Sequence, residues 1–208
     1  MMALVLASNS PRRQELLGVL GLPYAIRVAE VDESVHPGET PEAMVARLAR
    51  EKALAVPLSP EELLISADTT VELEGQALGK PADPEEARRM LRLLRGRMHR
   101  VHTAVALRRG EEVEVQVVTT RVWMRNYGAE ELEAYLASGQ AQDKAGAYGI
   151  QDEPFAPVER VEGCYMNVVG LPLCHLAQGL VRRGISIPRL PPAYCRGLLG
   201  HPCPVALF

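Results

Sequence analysis

A short polar stretch, Ser8-Asn9-Ser10-Pro11-Arg12-Arg13, constrains this chain more than any other. It follows an apolar run over residues 3–7, which reads as a buried strand, and it opens an amphipathic stretch over residues 12–20. Ser10 is a strong helix N-cap type, and Pro11 falls at the first helical position, where its missing N–H is of no consequence. The pattern predicts a strand, a tight polar turn and a helix ended by Gly21. Arginine in a helix's first turn opposes the dipole, so stability alone does not account for Arg12 and Arg13. Two readings stand at this point. One is a capped surface helix with two solvated arginines. The other is an anion site on which backbone N–H groups, the dipole's positive end and two guanidinium forks converge.

Composition narrows the field. With 208 residues, 47% of them hydrophobic, the chain can build one soluble core, and at 4% aromatic that core must be mostly Leu, Val and Ala. A net charge of −3 argues against a nucleic-acid backbone as partner. No apolar run is long enough to span a membrane, and the start lacks a basic segment of the signal-peptide kind, so the expected location is cytoplasmic. The cysteines Cys164, Cys174, Cys195 and Cys203 form no C-x-x-C pair and are expected to be buried or idle. Cys195, His201 and Cys203 match no common zinc spacing.

Lysine usage is more telling. Of 23 basic residues only Lys52, Lys80 and Lys144 are lysine; the rest are arginine. A site built for a compact ammonium does not readily accept a planar guanidinium, so these positions are candidates for a functional charge. Lys80 lies in Gly79-Lys80-Pro81 and Lys144 in Asp143-Lys144-Ala145-Gly146, both turn-like.

Along the chain, residues 24–30 alternate like a half-buried strand, and Thr40-Pro41-Glu42 starts a helix that carries Lys52 near its end. Residues 63–67 form an apolar strand expected to stop at Asp68-Thr69, with residues 70–73 continuing extended to a hairpin turn at Glu74-Gly75-Gln76. A helix begins at Asp83-Pro84, long strands cover residues 99–107 and 112–125, and a helix covers 129–137. Residues 156–169 read as mostly extended, and 171–183 as a last helix. Early alternation of helix and strand followed by long hairpin strands predicts a mixed α/β sheet. Residues 1–185 are expected to form one domain, with 186–208 a proline-rich tail, irregular or packed across the surface.

Asp68 at a strand end and Glu33 in an acidic turn offer two hard oxygen ligands, which suit Mg²⁺ or Mn²⁺ shared with a phosphate chain. Carboxylates, cations and a helix-start anion site together point to phosphoryl-type chemistry. The arginines of residues 88–100 are interleaved with Met90, Leu91 and Leu94, which describes an amphipathic helix with a solvated face better than a nucleic-acid patch.

Several ordered motifs carry a resemblance. Ser8-Asn9-Ser10-Pro11-Arg12-Arg13-Gln14-Glu15-Leu16-Leu17, Ser66-Ala67-Asp68-Thr69, Gly79-Lys80-Pro81, Asp143-Lys144-Ala145-Gly146-Ala147-Tyr148-Gly149-Ile150-Gln151 and Asn167-Val168-Val169-Gly170-Leu171-Pro172 resemble the Maf family of nucleoside triphosphate pyrophosphatases. The resemblance implies an ITPase-like fold, an elongated twisted mixed sheet flanked by helices in two lobes with a central cleft, usually homodimeric. It implies hydrolysis of dTTP and UTP, or modified pyrimidine nucleotides, to the monophosphate and pyrophosphate with a divalent metal. Asp68 matches the family's proton acceptor. Ser8, Arg13, Glu33, Lys52 and Lys80 match its phosphate and metal site, to which the anion-site reading adds Ser10 and the lysine reading adds Lys144 as a further phosphate contact. Arg12, Thr69 and Gln151 match the base-reading positions of the dTTP/UTP branch. The family's older name leaves a second reading open, a nucleotide-binding regulator of septum formation. The sequence departs from the pattern after Gln151, where Asp152 stands in place of the usual glycine.

Overall fold

A computed structural model describes residues 2–199. Seven strands form one mixed sheet: β1 Ala3–Leu6, β2 Tyr24–Ile26, β3 Glu62–Leu73, β4 Gln76–Leu78, β5 Met98–Arg109, β6 Glu112–Met124 and β7 Val158–Glu162. The order is β2-β1-β3-β5-β6-β7, with β4 also on β3. The helices are α1 Pro11–Val19, α2 Pro41–Ala55, α3 Pro84–Leu94, α4 Ala129–Ala137, α5 Tyr165–Val169, α6 Leu173–Arg182 and α7 Pro191–Leu199. The first three start as their sequences predict. Ser10, Thr40 and Asp83 cap them, and a proline sits just inside each.

The register of β3 explains where the cleft lies. β1 pairs with β3 in parallel only over residues 62–65, and β4 pairs antiparallel only over 71–73. On its other edge β3 runs unbroken against β5 from Leu64 to Glu72. Residues 66–70 therefore have a strand on one side and open space on the other. Asp68 does not end its strand, as the sequence suggested; it sits mid-strand, in that gap. The apolar run stops there because the neighbouring strand stops, not because β3 does.

Residues alternate between two faces of β3 and β5. One face carries Leu64, Ala104 and Ala106, packed with Val5 and Ala7 against Val45, Ala49 and Ala53 of α2. The other carries two separate apolar clusters. Ile65, Ala67, Val105 and Leu107 pack against α1 and α6, while Val71, Leu73, Val101 and Val122 pack against α3 and α4. Between them lies a polar seam of Thr69, Thr103, Thr120 and Asn167. The Asn167 side-chain amide donates to Val101 O and Thr120 Oγ1, both at 2.9 Å. Buried polar groups left unpaired cost about 1–3 kcal/mol each, so this seam fixes how α5 docks across the sheet.

Two expectations need correction, and a third is decided between its alternatives. Only residues 24–26 of the 24–30 stretch are strand, and Ile26 and Val28 are 46% exposed. β2 is an edge strand whose partner ends at Leu6; Arg27 N–H donates to Leu6 O, and beyond it the segment has no strand to pair with. Residues 156–169 are not continuously extended. Gly163 breaks them at φ 129°, with Thr120 so close that an added Cβ would lie 3.0 Å from Oγ1, and the chain then turns into α5. Of the two readings of the tail, its described residues, 186–199, take the packed one: Pro191 opens α7, and Tyr194 and Cys195 pack on the first cluster with Ile185 and Ile187. Proline at a helix start is favourable, and the run of prolines concealed this. His201 and Cys203 lie outside the described residues.

Other expectations hold. Cys164, Cys174 and Cys195 are buried. A further observation concerns two histidines of β5: His99 and His102 face opposite ways, His99 Nε2 at 2.6 Å from Tyr148 Oη and His102 Nε2 at 2.7 Å from Glu72. Arg88, Arg89 and Arg92 on α3 each reach a glutamate, as a solvated helix face would, whereas Arg97 lies beyond the helix and Arg100 on β5, each also paired with a glutamate.

The segment carrying Glu33 is strapped to α2 by Arg47. Its guanidinium donates to Ser34 O at 2.9 Å and grips Glu39 through two bonds, 2.7 and 2.8 Å. That grip pulls the Glu39 carboxyl down to about 2. A depressed folded-state pKa gives stability that is present above the ordinary carboxylate range and lost as pH falls toward 2. Glu39→Gln is expected to lower the melting temperature at pH 7 by a few degrees at most, with the difference from wild type vanishing between about pH 4 and pH 2. A constant difference across that range would rule the strap out as the cause.

Candidate active site

A cleft of about 860 Å³ opens over the gap in β3. Its walls are the turn before α1, the loop bearing Glu33, the inner face of α2, the loop after β4, and two segments around residues 143–152 and 168–170. Every residue singled out from the sequence lines it: Ser8, Ser10, Arg12, Arg13, Glu33, Lys52, Asp68, Thr69, Lys80, Lys144 and Gln151. All three lysines of the chain are among them. Chance retention of lysine on an arginine-rich surface would have scattered them.

At the floor, Lys52 Nζ lies 2.6 Å from Asp68 Oδ1 and 2.6 Å from Glu33 Oε1. One ammonium thus holds two carboxylates toward a common point. Burial pushes the Asp68 carboxyl above its ordinary value and outweighs the opposing pull of Lys52 and Arg13. Burial acts the same way on Glu33, but there Lys52, with Lys80 and Arg13 behind it, holds the carboxyl below its ordinary value. Two carboxylates in one cleft with pKa values pushed apart is the pattern of a site that divides proton transfer from charge neutralisation. Lys80 lines the same cleft and has no hydrogen bond or ion pair among the described residues.

The turn before α1 behaves differently from a bare helix terminus. Pro11 has no N–H, and the Arg13 N–H is directed to Ser10 Oγ at 3.5 Å. This helix start therefore offers fewer free backbone N–H groups than a bare terminus. Arg13 is half-buried; its Nε donates to Gly170 O and its Nη2 to Thr69 Oγ1, each at 3.0 Å, and its Nη1 has no hydrogen-bond partner among the described residues. Arg12 reaches the other wall, donating to Asp143 Oδ2 at 3.0 Å and Asp143 O at 3.2 Å.

One group was missed by sequence reasoning, and a second was seen without its role. Asp143 is the partner of Arg12. Asp152, the departure from the family pattern, clamps the 144–152 loop: its Oδ2 accepts from Tyr135 Oη at 2.5 Å and Gly149 N at 3.0 Å and forms an ion pair with Lys144 Nζ at 3.1 Å. Lys144 also donates to Gln140 O and lies 3.3 Å from Asp143 Oδ1. Its ammonium is therefore occupied with protein acceptors, unlike that of Lys80. The extra carboxylate at 152 was visible in the sequence; its three partners were not.

The sequence profile of the Maf-like protein family matches residues 3–183. The chain belongs to the Maf family. Among Maf relatives, a protein of Anaeromyxobacter dehalogenans named dTTP/UTP pyrophosphatase is 51% identical, over 89% of this chain and 96% of its own. One of Syntrophomonas wolfei with the same name is 47% identical, over 88% and 99%. A solved HAM1 protein structure from Coxiella burnetii aligns at a TM-score of 0.48 and 16% identity, over 88% of this chain and 100% of that one. Among the described residues no helix is long and apolar enough to cross a membrane.

Proposed function

We propose that this Maf protein hydrolyses dTTP and UTP to the monophosphate and pyrophosphate. The observation that carries the reading is the Glu33–Lys52–Asp68 bridge at the cleft floor, facing the Ser8–Arg13 turn and Lys80. The names of relatives sharing about half of its residues supply the substrate class. A water placed beside Asp68 would attack the α-phosphorus while Asp68 takes its proton; the α–β bridging oxygen leaves with pyrophosphate. A buried carboxylate with a raised pKa is a better base at neutral pH than an exposed one. Lys80 and Arg13 Nη1 would neutralise the leaving group, and Ser8 and Ser10 would hold phosphate oxygens.

The residues present fit a divalent cation. Glu33 and Asp68 provide two hard oxygen donors, and among the described residues no cluster of three His, Cys, Asp or Glu side chains could hold a metal alone. Phosphate oxygens would complete the shell, as Mg²⁺ or Mn²⁺ sites on nucleotides require. When bound there, the cation supplies charge neutralisation and acidification of water. Arg12, Thr69 and Gln151 would read the base. Family resemblance also supports a homodimer.

A nucleotide panel with Mg²⁺ and Mn²⁺, assayed separately for pyrophosphate and phosphate, tests the reading. Pyrophosphate from dTTP and UTP is expected; phosphate alone would mean γ-cleavage and a different reaction. Arg12→Ala is expected to erode base selectivity while leaving the triphosphate contacts. Arg13→Ala should weaken every nucleotide and also reduce selectivity, because Arg13 donates to Thr69. Competition kinetics with UTP and CTP separate the two outcomes.

A further inference from the structure

The Thr69 hydroxyl is the cleft end of a hydrogen-bonded chain that runs into the polar seam. Thr103 Oγ1 lies 2.9 Å from the backbone carbonyl oxygen of Asn167, and Thr69 Oγ1 lies 3.0 Å from Thr103 Oγ1. A carbonyl oxygen only accepts, so the proton between Thr103 and Asn167 belongs to Thr103. The reverse orientation would leave two oxygens 2.9 Å apart with no proton between them, at a threonine that is fully buried. Thr103 has one proton. Thr69 must therefore donate its own to Thr103. Arg13 Nη2 then donates to Thr69 at 3.0 Å and takes one of its lone pairs. What Thr69 has left for the cleft is a single lone pair. The carbonyl that sets this direction is itself held in place, since the Asn167 side chain is tied to Val101 O and Thr120 Oγ1.

The consequence is a fixed polarity in the cleft that both residues line. Thr69 can only accept, and Arg12 can only donate. A base that takes a donor from Arg12 and an acceptor from Thr69 must offer a carbonyl and a neighbouring N–H, which is the O4/N3–H edge of uracil and thymine. Cytosine presents an amino group and a bare N3 there, opposite in sense at both atoms. Gln151 carries an amide that can turn to suit either edge, so it does not decide.

We propose that Thr103 is a positioning residue that selects uracil and thymine over cytosine by fixing the direction of the Thr69 proton. This rests on the proposed reading of Thr69 and Arg12 as base contacts. Thr103 itself touches no nucleotide. Without its hydroxyl, the Thr69 proton is free to turn into the cleft and meet N3 of cytosine.

The test is kcat/KM for UTP and for CTP, read as pyrophosphate release, in wild type, Thr103→Val, Thr103→Ala and Thr103→Ser. Thr103→Val and Thr103→Ala are expected to lower the UTP/CTP ratio about tenfold or more, the discrimination that one mispaired buried group provides. Thr103→Ser keeps the acceptor and the proton and should keep the ratio. A merely structural role would lower both nucleotides together, and an unchanged ratio in Thr103→Val overturns the proposal. Should neither Val nor Ala variant fold, the wild-type enzyme decides with N3-methyl-UTP, which has no donor for Thr69. It should be at least about tenfold poorer than UTP, and equal turnover overturns the proposal. Wild type that releases no pyrophosphate from UTP or dTTP would sink the functional reading itself, a result visible before any variant is made.

Discussion

An Asp68→Asn enzyme is expected to bind UTP near normally and to release pyrophosphate about 10²–10⁴-fold more slowly than wild type, the range a positioned general base supplies. Asparagine keeps the shape of the side chain and can still accept from Lys52, so the cleft floor should survive. Folding should not suffer either. Burial works against the Asp68 carboxylate more strongly than Lys52 and Arg13 favour it, so removing the charge relieves a desolvated group. The melting temperature at pH 8 is expected to equal or exceed that of wild type. This combination separates a catalytic role from a structural one: a structural carboxylate would lower stability and leave turnover of the surviving fold intact. Robust hydrolysis by Asp68→Asn would remove Asp68 from proton transfer.

What the sequence made legible follows from interaction range. Helix starts at Ser10, Thr40 and Asp83 were readable because capping involves residues three apart in the chain. The cleft residues were readable as polar interruptions of apolar runs and as lysines kept in an arginine-rich chain. The mid-strand position of Asp68 was not, because it depends on where β1 and β4 stop on the edge of β3. The seam was out of reach for the same reason. Thr69 meets Thr103 across 34 residues and Thr103 meets Asn167 across 64, through the register of β3 on β5 and the docking of a short helix. Nothing local distinguishes Thr103 from any other strand threonine. Asp152 lies between these cases, since its oddness was visible and its partners were set by folding.

Lys52→Met is expected to damage both stability and turnover, unlike Asp68→Asn. It leaves two carboxylates pointed at one another with no cation between them, one of them 8% exposed. Removing one partner of a buried ion pair costs about 3–5 kcal/mol when no water reaches it. Here the Glu33 side chain is 57% exposed, so solvent screens part of the repulsion and the loss is smaller, several degrees in melting temperature. Turnover should fall by at least about 10²-fold, because Asp68 loses the group that aims it. Lys52→Arg separates charge from shape. It restores a cation and so most of the stability, but the bulkier fork cannot place one nitrogen 2.6 Å from both carboxylates, so turnover should stay low. Full activity in Lys52→Arg would show that any cation serves, and that three lysines share one cleft for some reason other than the need for a point charge.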